Sequence, residues 1–278
     1  MAGQLTLVGT PIGNLGDMSP RAVEAMENCD FIAAEDTRVT MKLLNHFQIK
    51  KPLVSYYEHN KRSSGEVITG RILAGESCVL VTDAGMPAIS DPGENIVDKC
   101  HELGIHVTCV PGPSAVVTAL AMSGMPSGRF AFEGFLSVNK KSRREHLLSI
   151  KNEKRTMIFY EAPHKLPAML ADMYEALGDR RIAIVRELTK IHEEVIRTTL
   201  KEAADRYSTE GGEIPRGEFV VIVDGAPDDA SDVEYTVEEA VEMARMLIEG
   251  GMSSSEAAKE AAKTTGLKKG DIYKLLVK

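Results

Sequence analysis

Long apolar runs are missing from this chain of 278 residues. A membrane-spanning helix needs about 20 consecutive apolar residues, and no segment approaches that length, so we expect no membrane span. The first residues, MAGQLTLVGTPIGN, lack a basic segment, a long apolar segment and a cleavage site, and therefore predict no signal peptide. Cysteine is also scarce. The four residues form no C-x-x-C pair, which indicates reduced thiols and a cytoplasmic location.

Two ligand-binding signatures are absent as well. The early glycines stand at positions 9, 13 and 16, which is not the G-x-G-x-x-G spacing of a dinucleotide loop, and no lysine follows to make a phosphate-binding loop. The C-H-x4-H-x2-C pattern from Cys100 to Cys109 is looser than the paired ligands of structural zinc sites, so no metal is predicted. We expect Cys100 to end an amphipathic helix and Cys109 to lie on a buried strand.

An overall excess of positive charge is missing too. The net charge of −8 argues against a protein that coats nucleic acid through bulk charge. Basic residues are nevertheless concentrated in two places. One is the stretch 140–155, KKSRREHLLSIKNEKR, and the other is 253–278, where six basic and three acidic side chains leave an excess of +3. Such local patches can bind phosphate even in an acidic chain.

The composition that is present, 43% hydrophobic and 27% charged, is that of a globular protein and excludes a disordered or collagen-like chain. Strand-like and helix-like segments alternate through residues 1–122, which is typical of a largely parallel sheet with helices on both faces. Gly, Pro and Ser interrupt the pattern at 123–128 and mark a predicted domain boundary. Residues 123–226 predict a second α/β domain with a mixed sheet, 225–232 a linker, and 235–278 a small helical module of helix-turn-helix type.

The strands and helices of this pattern have the following predicted bounds. The predicted strands are 4–8, 31–34, 52–56, 77–82, 106–110, 130–135, 156–160, 181–186, 194–200 and 217–223. The predicted helices are one opened by Ser19 and Pro20, and 38–46, 63–74, 92–103, 113–122, 141–151, 164–177, 201–207, 236–249, 253–264 and 269–276.

Turns rich in glycine, proline and small polar residues follow the predicted strands. Ligands of open α/β sheets bind beyond the carboxyl ends of the strands, so these turns are the candidates for a binding site. Asp83 directly follows a strand and suits an amino group or a ribose hydroxyl. Ser114 opens a helix, whose free N–H groups suit a carboxylate. Each residue also has an ordinary interpretation, as a turn residue or as a helix cap.

Seven strings in this order resemble the tetrapyrrole-methylase type of S-adenosylmethionine-dependent methyltransferase, and more closely the ribosomal RNA small-subunit methyltransferase I family. They are LVGTPIGNLGD, AAEDTR, TDAGMPAISDPG, VPGPSA, YEAPHK, RELTK and PRGEFV, spread over about four fifths of the chain. The resemblance implies an α/β fold with two α/β/α domains, the methyl donor in the cleft between them, and a C-terminal helical module. It also implies methyl transfer to the 2′-hydroxyl of a cytidine in small-subunit (16S) ribosomal RNA, by a homodimer. We expect the assembled subunit as the partner, although the sequence does not decide between naked RNA and the subunit.

The resemblance also implies particular site residues. Those expected to contact the donor, S-adenosylmethionine, are Pro11, Asp83, Gly85, Met86, Ser114, Ala115, Tyr160 and Gly217. A ribose hydroxyl is a poor nucleophile, so a base or a polarising cation would help. The candidates are Glu35, Asp36, Glu161 and Lys190, among which neither the family nor the residues choose, and Asp36 equally fits as a helix cap. Charge, and not the resemblance, selects the residues expected to bind RNA, which lie in the two basic stretches of an otherwise acidic chain: Lys140, Lys141, Arg143, Arg144, Lys268 and Lys269.

Three other functions stay open at this point. A methyltransferase of the same fold acting on a tetrapyrrole precursor would need a large apolar cleft and no basic tail. A non-enzymatic RNA-binding assembly factor leaves the elaborate strand-end turns unexplained. A nicotinamide or flavin oxidoreductase is disfavoured by the missing glycine spacing.

Overall fold

The computed structural model describes residues 3–208, 211–227, 236–249, 252–265 and 267–276. The chain divides into two compact units, Met1–Gly225 and Ala226–Lys278. The α/β fold class and the C-terminal helices that the sequence predicts are confirmed. The finer boundaries at 122/123, 226 and 235 stay predictions.

The first sheet consists of five parallel strands in the order β3-β2-β4-β1-β5. The strands are β1 Gln4–Val8, β2 Phe31–Ala34, β3 Leu53–Ser55, β4 Cys78–Val81 and β5 His106–Val110. The helices between them are α1 Pro20–Asn28, α2 Thr37–His46, α3 Lys61–Leu73 and α4 Glu94–Glu102. Alternate strand residues enter two separate cores, since Ile32 packs with Met26 of α1 while Phe31 packs with Ile68 of α3. The helices therefore cover both faces of the sheet, as predicted.

The second sheet is mixed, in the order β6-β7-β10-β8-β9. Its strands are β6 Phe130–Phe135, β7 Thr156–Glu161, β8 Arg181–Arg186, β9 Glu194–Thr199 and β10 Phe219–Val223. Strands β6 and β7 are parallel, and the other neighbours are antiparallel. The accompanying helices are α5 Ala115–Ser123, α6 Lys140–Ser149, α7 Leu166–Leu177 and α8 Leu200–Arg206. Helix α5 covers one face through Val116 and Leu120, and α6, α7 and α8 cover the other.

One strand prediction needs correction. Cys109 was expected on a buried strand, but its side chain is exposed. The reason is the strand order: β5 pairs only with β1, so it is the edge of the first sheet. Cys100, by contrast, is buried on α4 as expected. Predicted and observed bounds of the other elements differ by a few residues at most, which is the usual uncertainty of element ends.

The C-terminal unit contains three short helices, α9 Val237–Glu249, α10 Ser254–Thr265 and α11 Lys269–Leu276. They pack around a core of small residues, which includes Ala240, Ala244, Ala257 and Ile272. Ser253 lies at the start of α10 as predicted, where its hydroxyl accepts the Glu256 N–H (3.4 Å) and Glu256 Oε2 accepts the Ser253 N–H (3.4 Å), a capping box. Positions 228–232 of the predicted linker, and the glycines at 250, 251 and 266 between the predicted helices, lie outside the described residues.

Candidate active site

The loops that follow β1, β4 and β5 converge at the carboxyl edge of the first sheet. Thr10 and Gly85 exchange two backbone hydrogen bonds, N–H to O of 2.9 and 3.1 Å. Gly9 lies so near the third loop that a Cβ on it would stand 2.8 Å from Gly112 Cα. Only glycine permits such a close backbone approach. The close approach of the first and third loops therefore requires a residue without a side chain at position 9.

A cavity of about 350 Å³ lies between this edge and the second sheet. Its lining residues from the first three loops are Ile12, Ala84, Gly85, Met86, Ile89, Ser90, Asp91, Ser114 and Ala115. Its lining residues from the second sheet and its loops are Phe135, Tyr160, Glu161, Ala162, Pro163, Val185, Leu188, Glu218, Phe219 and Val220. We call it the main cavity. Five of the eight residues expected to contact a donor line it: Gly85, Met86, Ser114, Ala115 and Tyr160.

The loop between β4 and α4 is held in an unusual conformation beside this cavity. Ala88 and Ser90 have φ angles of 67° and 64°, in the left-handed region that ordinary side chains avoid. Each such residue costs about 1–3 kcal/mol and persists where the surroundings determine it fully. A Cβ on Gly93 would stand 2.7 Å from Ala88 Cβ, so the loop is folded tightly on itself. The wall of the main cavity is therefore preorganised.

Tyr160 forms the aromatic wall of the main cavity. Its ring makes edge contacts with Phe132 and Phe135, at centroid distances of 5.0 and 5.4 Å. Burial raises the pKa of the Tyr160 phenol to about 12, so the hydroxyl is neutral at physiological pH. The aromatic rings present an apolar surface on which a flat heterocycle can rest.

Among the residues that the structure describes, three carboxylates line the main cavity: Asp91, Glu161 and Glu218, the last of which is largely exposed and pairs with Lys190. The pKa of Asp91 is raised to about 6, mainly by burial. A hydrogen bond with Thr82 lowers this pKa, and the negative charges of Glu35 and Asp83 raise it. Burial also raises the pKa of Glu161, whose Oε1 accepts the Ala162 N–H at 2.8 Å. The sequence analysis did not select Asp91, although this residue lies in the string TDAGMPAISDPG that carries part of the resemblance. Burial disfavours the negative charge of both Asp91 and Glu161, and a cationic ligand in the cavity would stabilise that charge.

Pro11 and Asp83, which were also expected to contact the donor, do not line the main cavity. Both line a second cavity of about 300 Å³ beside the first, with residues of the β1 and β4 loops and of α2. Asp83 Oδ1 accepts the Asp36 N–H at 3.1 Å, and loss of water around the carboxylate raises its pKa. Gly217 lines neither cavity: a Cβ on it would stand 2.5 Å from Glu187 Oε1.

The four candidate acid–base residues have different surroundings. Glu161 lines the main cavity, and Glu35 Oε2 accepts the Thr82 hydroxyl at 2.7 Å. Asp36 caps α2 and pairs with Arg38 at 2.5 Å, and these hydrogen bonds lower its pKa to about 2. Lys190 Nζ lies 2.9 Å from both Glu187 and Glu218. Burial opposes its charge, but these hydrogen bonds leave its pKa raised, so Lys190 is a cation.

The residues expected to bind RNA are not equivalent either. The Arg143 side chain is only 12% exposed, pairs with Asp172 at 2.6 Å and donates to the Ser137 carbonyl. This arrangement favours a role in joining α6 to α7 over the predicted phosphate contact. Arg144 pairs with Glu175 on the surface. The remaining four are exposed lysines, Lys140 and Lys141 on α6, and Lys268 and Lys269 in the C-terminal unit.

Within the described ranges, no group of three or more His, Cys, Asp and Glu side chains is arranged to hold a metal ion. Over the same residues, no helix combines the length and apolar content required to cross a membrane.

Known proteins share this fold. The sequence model of the family Tetrapyrrole (Corrin/Porphyrin) Methylases matches residues 4–204 of this chain. A diphthine synthase structure has a TM-score of 0.59 at 16% identity, covering 80% of this chain and 90% of that one. A uroporphyrin-III C-methyltransferase from Thermus thermophilus, complexed with S-adenosylhomocysteine, has a TM-score of 0.54 at 16% identity, covering 79% and 97%. Fold and cavity together define a methyltransferase of the tetrapyrrole methylase type.

Curated relatives narrow the class. Ribosomal RNA small subunit methyltransferase I of Synechocystis is 45% identical, covering 98% of this chain and 97% of its own. The Bacillus subtilis protein of the same name is 44% identical, covering 98% and 93%. The Thermotoga maritima protein is 46% identical over 223 residues, which are 80% of this chain and 99% of its own. The chain belongs to the ribosomal RNA small subunit methyltransferase I family.

Proposed function

We propose that this protein transfers a methyl group from S-adenosylmethionine to the 2′-hydroxyl of a cytidine in small-subunit (16S) ribosomal RNA. The names of its relatives support the RNA substrate. The observation that carries the donor assignment is the main cavity itself, which is lined by loops from both sheets and by the half-buried Asp91 and the buried Glu161.

The residues of the main cavity fit this donor. The donor supplies a methyl group on a positively charged sulfur. Asp91 and Glu161 provide negative charge for the sulfonium and the ammonium group. Ser114 and Ala115 place the start of α5 at the cavity, and the Ser114 side chain makes no capping hydrogen bond. The Val116 N–H bonds to the Tyr160 hydroxyl, and the remaining N–H groups at this helix start suit a carboxylate. Tyr160 and Phe135 provide an aromatic surface for the adenine.

Glu161 is the best placed of the four candidate bases. It is the one of the four that lines the main cavity, it is 5% exposed, and its raised pKa makes it a stronger proton acceptor than an ordinary carboxylate. Asp36 is too acidic to accept a proton at neutral pH. Lys190, held as a cation between Glu187 and Glu218, suits charge stabilisation instead. Alignment of donor and acceptor supplies much of the remaining rate.

The proposal includes the substrate state, the assembly and the location. We propose that the assembled small subunit is the substrate, that two copies form a homodimer, that no metal is required and that the protein acts in the cytoplasm. Large apolar side chains exposed on the second sheet's loops, such as Ile191 (97%) and Ile214 (75%), support self-association. Sedimentation at increasing concentration measures the oligomeric state directly.

A transfer assay tests the proposed reaction. Small subunits and naked 16S RNA from cells without this activity are incubated with methyl-labelled S-adenosylmethionine, with and without a chelator. Nuclease digestion and mass spectrometry then identify the modified nucleoside. We expect 2′-O-methylcytidine, formed faster on subunits and unaffected by the chelator. Label on a base, or label only on a tetrapyrrole precursor, contradicts the proposal. Donor binding without any transfer favours the assembly-factor alternative.

A further inference from the structure

The second cavity, of about 300 Å³, carries an inference of its own. It is built on the first sheet alone, between the loops after β1 and β4 and helix α2. Its size is at the lower end of small-molecule pockets, which hold about 300–1,000 Å³. We call it the side cavity. Two residues that the sequence assigns to the donor, Pro11 and Asp83, line it and not the main cavity.

The two cavities share a wall. Pro11 and Gly13 line the side cavity, while Ile12 between them lines the main cavity. In the same way Asp83 lines the side cavity and the next residue, Ala84, lines the main cavity. A group in one cavity is thus separated from a group in the other by the thickness of one chain. In-line methyl transfer requires donor and acceptor atoms about 3 Å apart, which is less than the thickness of this wall. A nucleotide whose base lies in the side cavity must therefore extend its ribose past the wall to the donor.

The chemistry of the side cavity matches a pyrimidine with an exocyclic amino group. Leu15 and Val39 offer apolar contact to the faces of a flat ring. Asp83 Oδ1 accepts the Asp36 N–H, and within the described chain Asp83 Oδ2 accepts nothing, so it is open to an N–H donor. Asn14 Oδ1 accepts the Gly16 N–H, which leaves the N–H₂ group of the same side chain to act as a donor. The side cavity is thus lined by both an acceptor and a donor, as cytosine requires, since its N4 donates and its N3 and O2 accept.

The mouth of the side cavity carries positive charge. Lys42 lines it, and Arg38, one turn earlier on the same face of α2, has 87% of its side chain exposed while it pairs with Asp36. These cations stand in a chain with a net charge of −8, where they suit the phosphates on either side of a nucleotide.

We infer that the side cavity holds the base of the target cytidine, turned out of the RNA, and that Asp83 reads its amino group. This inference rests on the proposed function, since it places the acceptor of that reaction. It assigns Pro11 and Asp83 to the RNA and leaves the donor to the main cavity. Extruding a nucleotide into a protein pocket exposes the edge of its base, and reading that edge would select the cytidine whose ribose is methylated.

Two variants of the full-length protein test the inference. Asp83→Asn keeps the acceptor of the Asp36 N–H but replaces the open acceptor by a donor. Val39→Trp fills the side cavity from a position that is already 38% exposed. Calorimetry measures S-adenosylmethionine binding, and the transfer assay on small subunits measures kcat and KM. We expect donor affinity within twofold of wild type for both variants, and kcat/KM reduced about tenfold or more.

Matched substitutions and a changed substrate complete the test. Glu102→Gln and Val67→Trp alter an exposed carboxylate and an exposed valine of the same half, outside both cavities, and should behave as wild type. With the mapped cytidine replaced by uridine in reconstituted subunits, Asp83→Asn should lose less activity than wild type, because an amide N–H₂ can donate to uracil O4.

Several results overturn the inference. Loss of donor binding in Asp83→Asn or Val39→Trp places the side cavity in the donor site. Unchanged kcat/KM in both variants, with an active wild type, shows that the base binds elsewhere. A wild type that transfers no methyl to subunits refutes the proposed function itself, and the inference with it, so the two failures are distinguishable.

Discussion

Gly13 and Lys190 touch across two loops that belong to different sheets. A Cβ on Gly13 would lie 2.7 Å from Lys190 Cγ and 2.8 Å from Thr189 Oγ1, and the Gly13 φ of +143° is one that side chains rarely adopt. Lys190 is in turn fixed by Glu187 and Glu218. The loop after β1 and the loop after β8 are therefore fastened to each other beside the main cavity.

The first prediction concerns this contact. Gly13→Ala should lower the free energy of unfolding by about 1–3 kcal/mol, because it adds backbone strain and displaces Lys190, and it should weaken donor binding. Gly104→Ala is the matched control: its φ is +66°, but no atom lies within 4 Å of the added Cβ. Urea unfolding and calorimetry measure both. Equal losses in the two variants would show that the contact contributes nothing.

Asp91→Asn should have opposite effects on stability and on binding. The folded-state pKa of Asp91 is about 6, above the ordinary 3.8, so ionisation of this carboxyl destabilises the fold progressively as pH rises through that interval. The variant should be more stable than wild type by roughly 1–3 kcal/mol at pH 7 and equal to it below pH 4. Urea unfolding at both pH values checks this, with the exposed Asp98→Asn as control.

The same carboxylate sets the pH dependence of donor binding. Since the donor is cationic, wild-type affinity should fall as pH decreases through about 6 and Asp91 takes up a proton. Asp91→Asn should bind weakly at every pH, with a flatter profile. Calorimetry between pH 5 and 8 gives both curves. A wild-type profile that does not change between these values would separate Asp91 from the donor.

Arg143 should behave as a structural residue. Arg143→Met leaves Asp172, which is 6% exposed, without its cation, and breaking such a buried pair costs about 3–5 kcal/mol. Arg144→Met removes an exposed pair with Glu175 and should cost at most about 1 kcal/mol. Thermal or urea unfolding distinguishes them. Similar small losses in both would return Arg143 to the group of RNA-binding candidates.

The exposed lysines should determine the salt dependence of RNA binding. Replacing Lys140 and Lys141, or Lys268 and Lys269, by glutamine should weaken binding to small-subunit RNA and reduce the slope of log K against log salt by about 1–2 for each pair. Donor binding should not change. Filter binding at several salt concentrations measures the slopes. Identical slopes in wild type and variants would mean that these lysines are ordinary solvated residues.

Glu161→Gln tests the base. If Glu161 accepts the proton of the ribose hydroxyl, the variant should lose about 10²–10⁴-fold in kcat and its rate should no longer depend on pH in the range where the carboxyl titrates. Donor affinity should change less. Glu175→Gln, an exposed carboxylate on α7, is the control. A kcat close to that of wild type would leave alignment as the main source of catalysis.

The sequence anticipated which loops meet, because parallel strands place their carboxyl ends at one edge and the turns after β1, β4 and β5 follow such strands. It did not separate Pro11 from Ile12, or Asp83 from Ala84, since the side of a loop on which a residue lies depends on backbone angles that its type does not determine. Nor did it pair Arg143 with Asp172, a contact made across 29 residues and two helices.

The sequence also did not predict that β5 lies at the edge of the first sheet. Strand order arises from long-range pairing, and the alternation around Cys109 reads alike for a central strand and an edge strand.

That edge position has a practical consequence. Cys29, Cys78 and Cys100 are buried, and burial raises their pKa, so their thiolates are scarce and shielded. Cys109 alone of the four is open to solvent. The natural protein thus carries one addressable thiol, on the sheet that bears both cavities, where a fluorophore or spin label can be attached without removing any other cysteine.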